Sequence, residues 1–369
     1  MIYLDNASTT YIYKEVNDEI IKYLKGSYGN PSNLYDFGQS QKACIENARQ
    51  RIAKVVGCDA DEIFFTSGSS EGNAWALHQR SKCLCSPYEH HNITNNPKTI
   101  IVDEDYLERC LSMDYSMKSY FKNTFRDYVY SHMLVNNETG EIFSVENNFS
   151  LAKELNMFTH CDMTQALGNL KITLHNYKDL DMATFSGHKV HAPKGIGFCY
   201  IRKEVQDKIK PLLCGGGQEK GLRAGTENVP YIMGLAVAVE MSDSNKLIKW
   251  NNSVKLGEEL LNILTDNDVD FIVNQGSTNI PSILNIAFKG VEGESLMLAL
   301  NEEGIYVGTG SACNTGEMEP SSVLKEMKVP EDYINGAIRF SFNEANTISD
   351  VRTAASILIK NYRRMTGVK

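Results

Sequence analysis

The residues most able to do chemistry sit directly after short strand-like runs. Ser186-Gly187-His188-Lys189 follows the apolar run Met182 to Phe185, so all four residues fall at a strand's carboxyl end, where open parallel sheets bind ligands. A lysine there forms an imine with an aldehyde once partial burial or nearby positive charge lowers its ammonium pKa. Asp162 closes the run Met157 to Cys161 and reaches the same kind of edge. Its carboxylate can pair with a protonated ring nitrogen, or it can cap a helix. Ser67-Gly68-Ser69-Ser70-Glu71-Gly72 follows the run Ile63 to Thr66 and precedes a helical segment. Backbone amides and hydroxyls at a helix N-terminus make an anion cradle, although a plain capping turn looks much the same. Each feature alone has an ordinary structural counterpart, a solvated loop lysine being the commonest. A lysine, an aspartate and an anion cradle all at strand ends is a less ordinary combination.

Elements of a particular kind must hold these residues. Strand-like segments at 63–66, 99–102, from 128, 157–161 and 182–185 alternate with amphipathic ones, which predicts an α/β fold with a parallel sheet flanked by helices. Gln39 to Val56 reads as a long surface helix stopped by Gly57. A polar, Gly-rich stretch from Cys214 to Glu227 precedes a helical region from about Tyr231 to Leu264. The texture then changes to a strand at 283–288, a helix near 294–303, a strand-like 337–342 and a terminal helix from Ser349. A large domain over 14–255 is expected, with 1–13 and 256–369 forming a smaller α+β domain.

Composition removes several classes of function. The 369 residues carry a net charge of -9, which leaves no basic stripe for broad nucleic-acid contact. The opening residues lack a charged n-region followed by an apolar stretch, and no run approaches membrane-spanning length, so a cytoplasmic home is expected. Nine cysteines, an odd number without a repeating framework, read as reduced thiols, most of them buried.

The order Tyr3-Leu4-Asp5-Asn6-Ala7, Gly29-Asn30-Pro31, Thr66-Ser67-Gly68, Val135-Asn136-Asn137-Glu138, Asp162 with Gln165, Ser186 to Lys189, Pro193-Lys194-Gly195, Arg223-Ala224-Gly225-Thr226, Gly310-Ser311-Ala312-Cys313 and Ile338-Arg339-Phe340-Ser341 resembles the group I cysteine desulfurases. These belong to the class V, fold-type I pyridoxal-phosphate enzymes, and the similarity runs from residue 1 to about residue 365. The resemblance implies pyridoxal 5'-phosphate on Lys189, with Asp162 at its ring nitrogen and Gln165 at its phenolic oxygen. It places Ser69, Ser70, Ser186 and His188 on the phosphate, with Thr226 reaching it from the other subunit of a homodimer. His90 takes the place of the ring-stacking histidine that takes part in proton transfer; Asn137 and Arg339 would fix the substrate carboxylate. Cys313, set among small residues, would take sulfur from L-cysteine as a persulfide and leave alanine.

Ser70 replaces the family's usual threonine, Ala74 stands where asparagine is common, and Leu134 and Tyr35 each stand where histidine is common. The stretch from Gly72 to Asn136 is short and holds few strong helix signals, and the chain ends without the extension that housekeeping members use to dock the iron-sulfur scaffold. The sulfur acceptor is therefore open between that scaffold and a transfer-RNA thiolation enzyme. The competing enzymes are another class V aminotransferase and a selenocysteine lyase. Apart from the resemblance, Cys83, Cys85, His90 and His91 lie within nine residues and offer zinc-type ligands, though not at the spacing of a common zinc module.

Overall fold

The computed structural model describes residues 1–103, 105–309 and 320–367. The chain forms two compact units: Thr10–Leu134 with Ser144–Ser244, and Met1–Thr9 with Val135–Phe143 and Asn245–Lys369. The units thus change at 244/245 rather than near 255. The segment Val135–Phe143, expected within the larger domain, groups with the other unit because it bridges Val135 to Ile142 and Glu141 to Asn279.

The first unit is built on a seven-stranded sheet in the order Ile63–Thr66, Gly197–Ile201, Met182–Ser186, Phe158–Asp162, Tyr128–Ser131, Lys82–Cys85 and Thr99–Ile101. Only Gly197–Ile201 runs against its neighbours. The other six strands therefore point one way, and their carboxyl ends share one edge. The central strands are buried along their whole length, as near-continuous apolar runs covered on both faces should be. The helix Ser69–His78 packs against this sheet through Trp75, Ala76 and Leu77, beside Phe64, Val129, Phe158 and Met182. The helix Asp36–Val56 ends where Gly57 adopts a left-handed φ of 67°, the stop its sequence predicts. Two helices, Tyr106–Ser112 and Tyr115–Phe125, occupy the stretch that carried few helix signals.

The second unit centres on a three-stranded antiparallel sheet in the order Ala337–Ser341, Ile283–Phe288 and Phe271–Asn274. Leu256, Leu260 and Leu264, spaced one turn apart on the helix Val229–Asp266, meet Phe288, Leu296, Leu300, Phe340 and Leu358 in its core. The terminal helix Ile348–Thr366 opens on a reciprocal capping box between Thr347 and Asp350 and closes at Gly367, with φ 73°. No helix among the described residues is long and apolar enough to cross a membrane.

Candidate active site

In the first unit the common carboxyl edge gathers the Ser67–Ser70 turn, Asp162 and the Ser186–Lys189 turn. Gly68 has a φ of 146°, a conformation that side chains rarely adopt, and it delivers the chain into the helix Ser69–His78. Glu71 fixes this turn. It accepts the Ser67 amide at 2.8 Å and grips Arg223 by two bonds of 2.8 and 3.1 Å. Burial opposes the Glu71 charge, but Arg223 and Ser67 outweigh it and bring its pKa below the ordinary value. The Arg223-Ala224-Gly225-Thr226 segment is thereby tied to the cradle, with Thr226 exposed.

Asp162 is 6% exposed; it accepts Asn73 Nδ2 at 2.8 Å and the Thr164 amide at 2.9 Å. Asn73 Nδ2 also reaches Asn92 Oδ1, whose other neighbour is His90 Nδ1 at 3.1 Å. His90 is exposed beside this network and caps the short helix after it by accepting the Asn92 amide. Ser186 and Gln165 are buried, while His188 and Lys189 are half-buried in a 3-10 turn tied down by Thr10, whose amide and hydroxyl both donate to the His188 carbonyl. Burial, and then the charges of Lys189 and Lys194, hold the His188 imidazole down at about 4, so it is neutral at pH 7. Ser69 is half-buried and Ser70 exposed at the mouth of the cradle.

Arg339 lies in the second unit. Its Nη1 donates to the Asn137 carbonyl at 2.8 Å and its Nη2 to Asp5 Oδ1 at 2.7 Å. The Arg339 side chain is 9% exposed, yet Nε has no hydrogen-bond partner among the described residues. A buried donor left without an acceptor is costly, and a guanidinium with a vacant N–H suits a two-point grip on a carboxylate. Cys313 lies outside the described residues. Among the described cysteines all eight are free thiols; only Cys214 is exposed. Cys83 and Cys85 are buried in a strand and do not converge with His90 and His91. Among the described residues the one grouping at metal-ligand spacing is Asp59, Glu62 and His175.

The family model for aminotransferase class-V matches residues 2–353. The chain belongs to the class-V aminotransferase family. A cysteine desulfurase IscS of Methanosarcina thermophila is 35% identical over 99% of this chain and 93% of its own length. A cysteine desulfurase of Trichormus azollae is 36% identical over the whole of this chain and 94% of its own. Among solved structures, a NifS-like protein superposes with a TM-score of 0.84 at 31% identity, covering 98% of both chains. This class-V chain therefore has the large mainly parallel sheet of its relatives.

Several polar groups around the class-V site were not singled out by motif. Asn73 joins Asp162 to the His90 neighbourhood, and Glu89 lies fully buried next to Asp162. Burial, then the Asp162 charge, holds the Glu89 carboxyl well above the usual carboxylate range. Asn73 stands one turn after Ser69, on the helix that begins at the cradle, which is the signal that could have found it. Glu89 offered no such signal, because its neighbour lies 73 positions away, from residue 89 to residue 162.

Proposed function

We propose that this chain is a pyridoxal-phosphate-dependent cysteine desulfurase that moves sulfur from L-cysteine to Cys313 and releases L-alanine. The observation that carries the reading is the shared sheet edge with a buried carboxylate, an anion cradle and a half-buried lysine, within a family whose full-length relatives are named cysteine desulfurases. The residues fit the cofactor. A ten-residue helix with a glycine N-cap offers backbone N–H groups that would receive its phosphate, and Asp162 has acceptor capacity beyond its two described donors. The Thr164 hydroxyl, buried without a partner among the described residues, is a further polar group at this end of the strand.

In this reading Ser69, Ser70, Ser186 and His188 hold the phosphate, joined by Thr226 of a second copy in a homodimer. Lys189 would hold the aldehyde, Asp162 would keep the ring nitrogen protonated, Gln165 would meet the phenolic oxygen and His90 would stack on the ring. When bound, pyridoxal phosphate supplies an electron sink for charge at the substrate's α-carbon. Arg339 and Asn137 would fix the carboxylate, and the Lys189 amine would act as base for the α-proton. The Cys313 thiolate attacks the substrate sulfur, an S–S bond forms as the C–S bond breaks, and the substrate carbon takes a proton to become alanine. L-Cysteine and one enzyme thiol thus become L-alanine and one enzyme persulfide, with no outside oxidant. The persulfide passes to an acceptor protein, an iron-sulfur cluster scaffold or a transfer-RNA thiolation enzyme, in the cytoplasm.

Sulfide and alanine formed from L-cysteine with a dithiol present, compared between wild type and Cys313→Ala, test the proposal. Matched sulfide and alanine, both lost in the variant, are expected. Visible cofactor colour without sulfide from either protein would sink it in favour of an aminotransferase.

A further inference from the structure

Beside Asp162 lies a row of polar side chains that the reaction itself does not use. Strand pairing sets Thr184 level with Asp162, and Ser131 level with His160. Residues level on adjacent strands face the same side, and alternate residues along one strand do so too, so Ser131, His160, Asp162 and Thr184 share one face of the sheet. The helix Ser69–His78 covers that face. It comes close because Gly72 has no side chain: a Cβ there would lie 2.6 Å from Thr184 Cγ2 and 2.7 Å from Cys199 Sγ. The next residue, Asn73, is therefore pressed against the row and is 1% exposed.

The direction of each bond between Ser131 and Asp162 follows from its neighbours, with the buried Glu89 also touching the Ser131 hydroxyl. Asn73 Nδ2 must face Asp162, because turning the amide would set its oxygen against a carboxylate. Asn73 Oδ1 then accepts the Thr184 hydroxyl proton. Having given its only proton away, Thr184 Oγ1 accepts from His160 Nε2 at 3.3 Å. Burial holds His160 down at about 4, so the ring is neutral and its Nδ1, 2.9 Å from Ser131 Oγ, accepts that hydroxyl's proton. The chain Ser131, His160, Thr184, Asn73, Asp162 runs donor to acceptor in one direction and ends on the carboxylate. Thr184, His160 and Ser131 are 0% exposed, and hydroxyls and imidazoles buried that deeply are costly wherever their bonds fail. Apolar residues would fill the same space at less cost, as Trp75, Val129 and Phe158 do nearby.

We infer that Asn73 and Thr184 are positioning residues that lock the Asp162 carboxylate in one orientation and so set how firmly the cofactor's ring nitrogen is held. The inference rests on the cofactor reading above. Asn73 also donates to Asn92 Oδ1, which neighbours His90 Nδ1, so the same amide ties the carboxylate to the ring-stacking position.

Thr184→Val removes the hydroxyl at nearly constant shape, and Thr184→Ser restores it. Cofactor affinity is read by equilibrium dialysis of the apoprotein, and folding by its melting temperature. Thr184→Val should weaken cofactor binding and lower kcat each by up to about tenfold, the upper end of what one neutral buried hydrogen bond is worth, with KM for L-cysteine nearly unchanged because Arg339 is untouched. Thr184→Ser should recover both. A valine variant that binds cofactor like wild type would overturn the inference, as would a serine variant that fails as badly as valine. Should wild type bind cofactor yet make no sulfide, the desulfurase reading falls, while the affinity comparison still decides the role of Thr184.

Discussion

The hydroxyl of Ser321 accepts the amides of Val323 and Leu324 as the cap of the helix Ser322–Glu326, so its own proton goes to Glu138 Oε2 at 2.6 Å. Glu138 also offers its carbonyl to Asn285 Nδ2 and follows Asn137, whose carbonyl takes Arg339. Burial pushes the Glu138 carboxyl up to about 7, against the pull of the Ser321 hydroxyl and the Arg339 charge. A carboxyl with a raised folded-state pKa gives stability that is complete below the unfolded value and is lost as pH rises through the folded one. The window here runs from about 4.5 to about 7. At ~1.4 kcal/mol per pKa unit, ionising Glu138 above that window costs roughly 3 kcal/mol. Glu138→Gln keeps an acceptor for Ser321 and cannot ionise. Its melting temperature relative to wild type should therefore climb between pH 5 and pH 8; parallel curves across that range would show that Glu138 titrates normally.

At the scale of elements, the Gly-rich stretch that sequence left as an interruption is held by one buried ion pair. Arg49, on the helix Asp36–Val56, meets Glu219 at 2.9 and 2.8 Å, and Glu219 also accepts the Phe65 amide of the edge strand at 2.9 Å. The two side chains are 9% and 3% exposed. Deleting one partner strands a charge, so Glu219→Ala should lower stability by about 3–5 kcal/mol in urea unfolding, whereas the double change Arg49→Met with Glu219→Leu should cost far less. Equal losses in the two proteins would count against a stranded charge as the cause. Periodicity revealed much of the scaffold: Gln39 to Val56, the long helix near 231–264 and the strands at 63, 128, 158, 182, 283 and 337 all lie where the apolar pattern put them. It did not reveal Lys14–Gly26, which buries only Val16 and Ile20, or Gly197–Ile201, whose antiparallel direction depends on partners far along the chain. Tyr115–Phe125 was hard to read because its one buried residue is Phe125 and its Tyr, Ser, Asn and Thr residues are indifferent helix formers. The strand-end residues of the site were legible because their spacing from the apolar runs fixes the edge they occupy. The bonds of Asn73 and Glu138 were not, since hydrogen bonds across the sheet or between loops leave no period in the sequence.

At the scale of the whole molecule, large apolar side chains near one groove are exposed. Tyr28, Leu34 and Tyr35 are 86%, 92% and 56% exposed, and Leu34 lines a groove of about 640 Å³ with Pro31, Arg49, Phe64, Gln218 and Glu227. Soluble monomers seldom gather large apolar side chains in so short a stretch. Thr226, one residue from Glu227 at that groove, is the group the proposed function assigns to the phosphate of a second copy, so dimerisation and cofactor retention should fail together. Sedimentation of wild type should give twice the mass of the 41.3 kDa chain. Leu34→Lys combined with Tyr28→Lys should shift it towards the single-chain mass, because each lysine would have to leave water for an apolar contact. The same variant should lose cofactor on dialysis, although neither residue lies among those assigned to hold it. Thr226→Val should leave the mass doubled and loosen the cofactor alone. A monomeric wild type with full cofactor would remove both the second copy and the role of Thr226, while a dimer that survives both lysines would move the contact elsewhere on the surface.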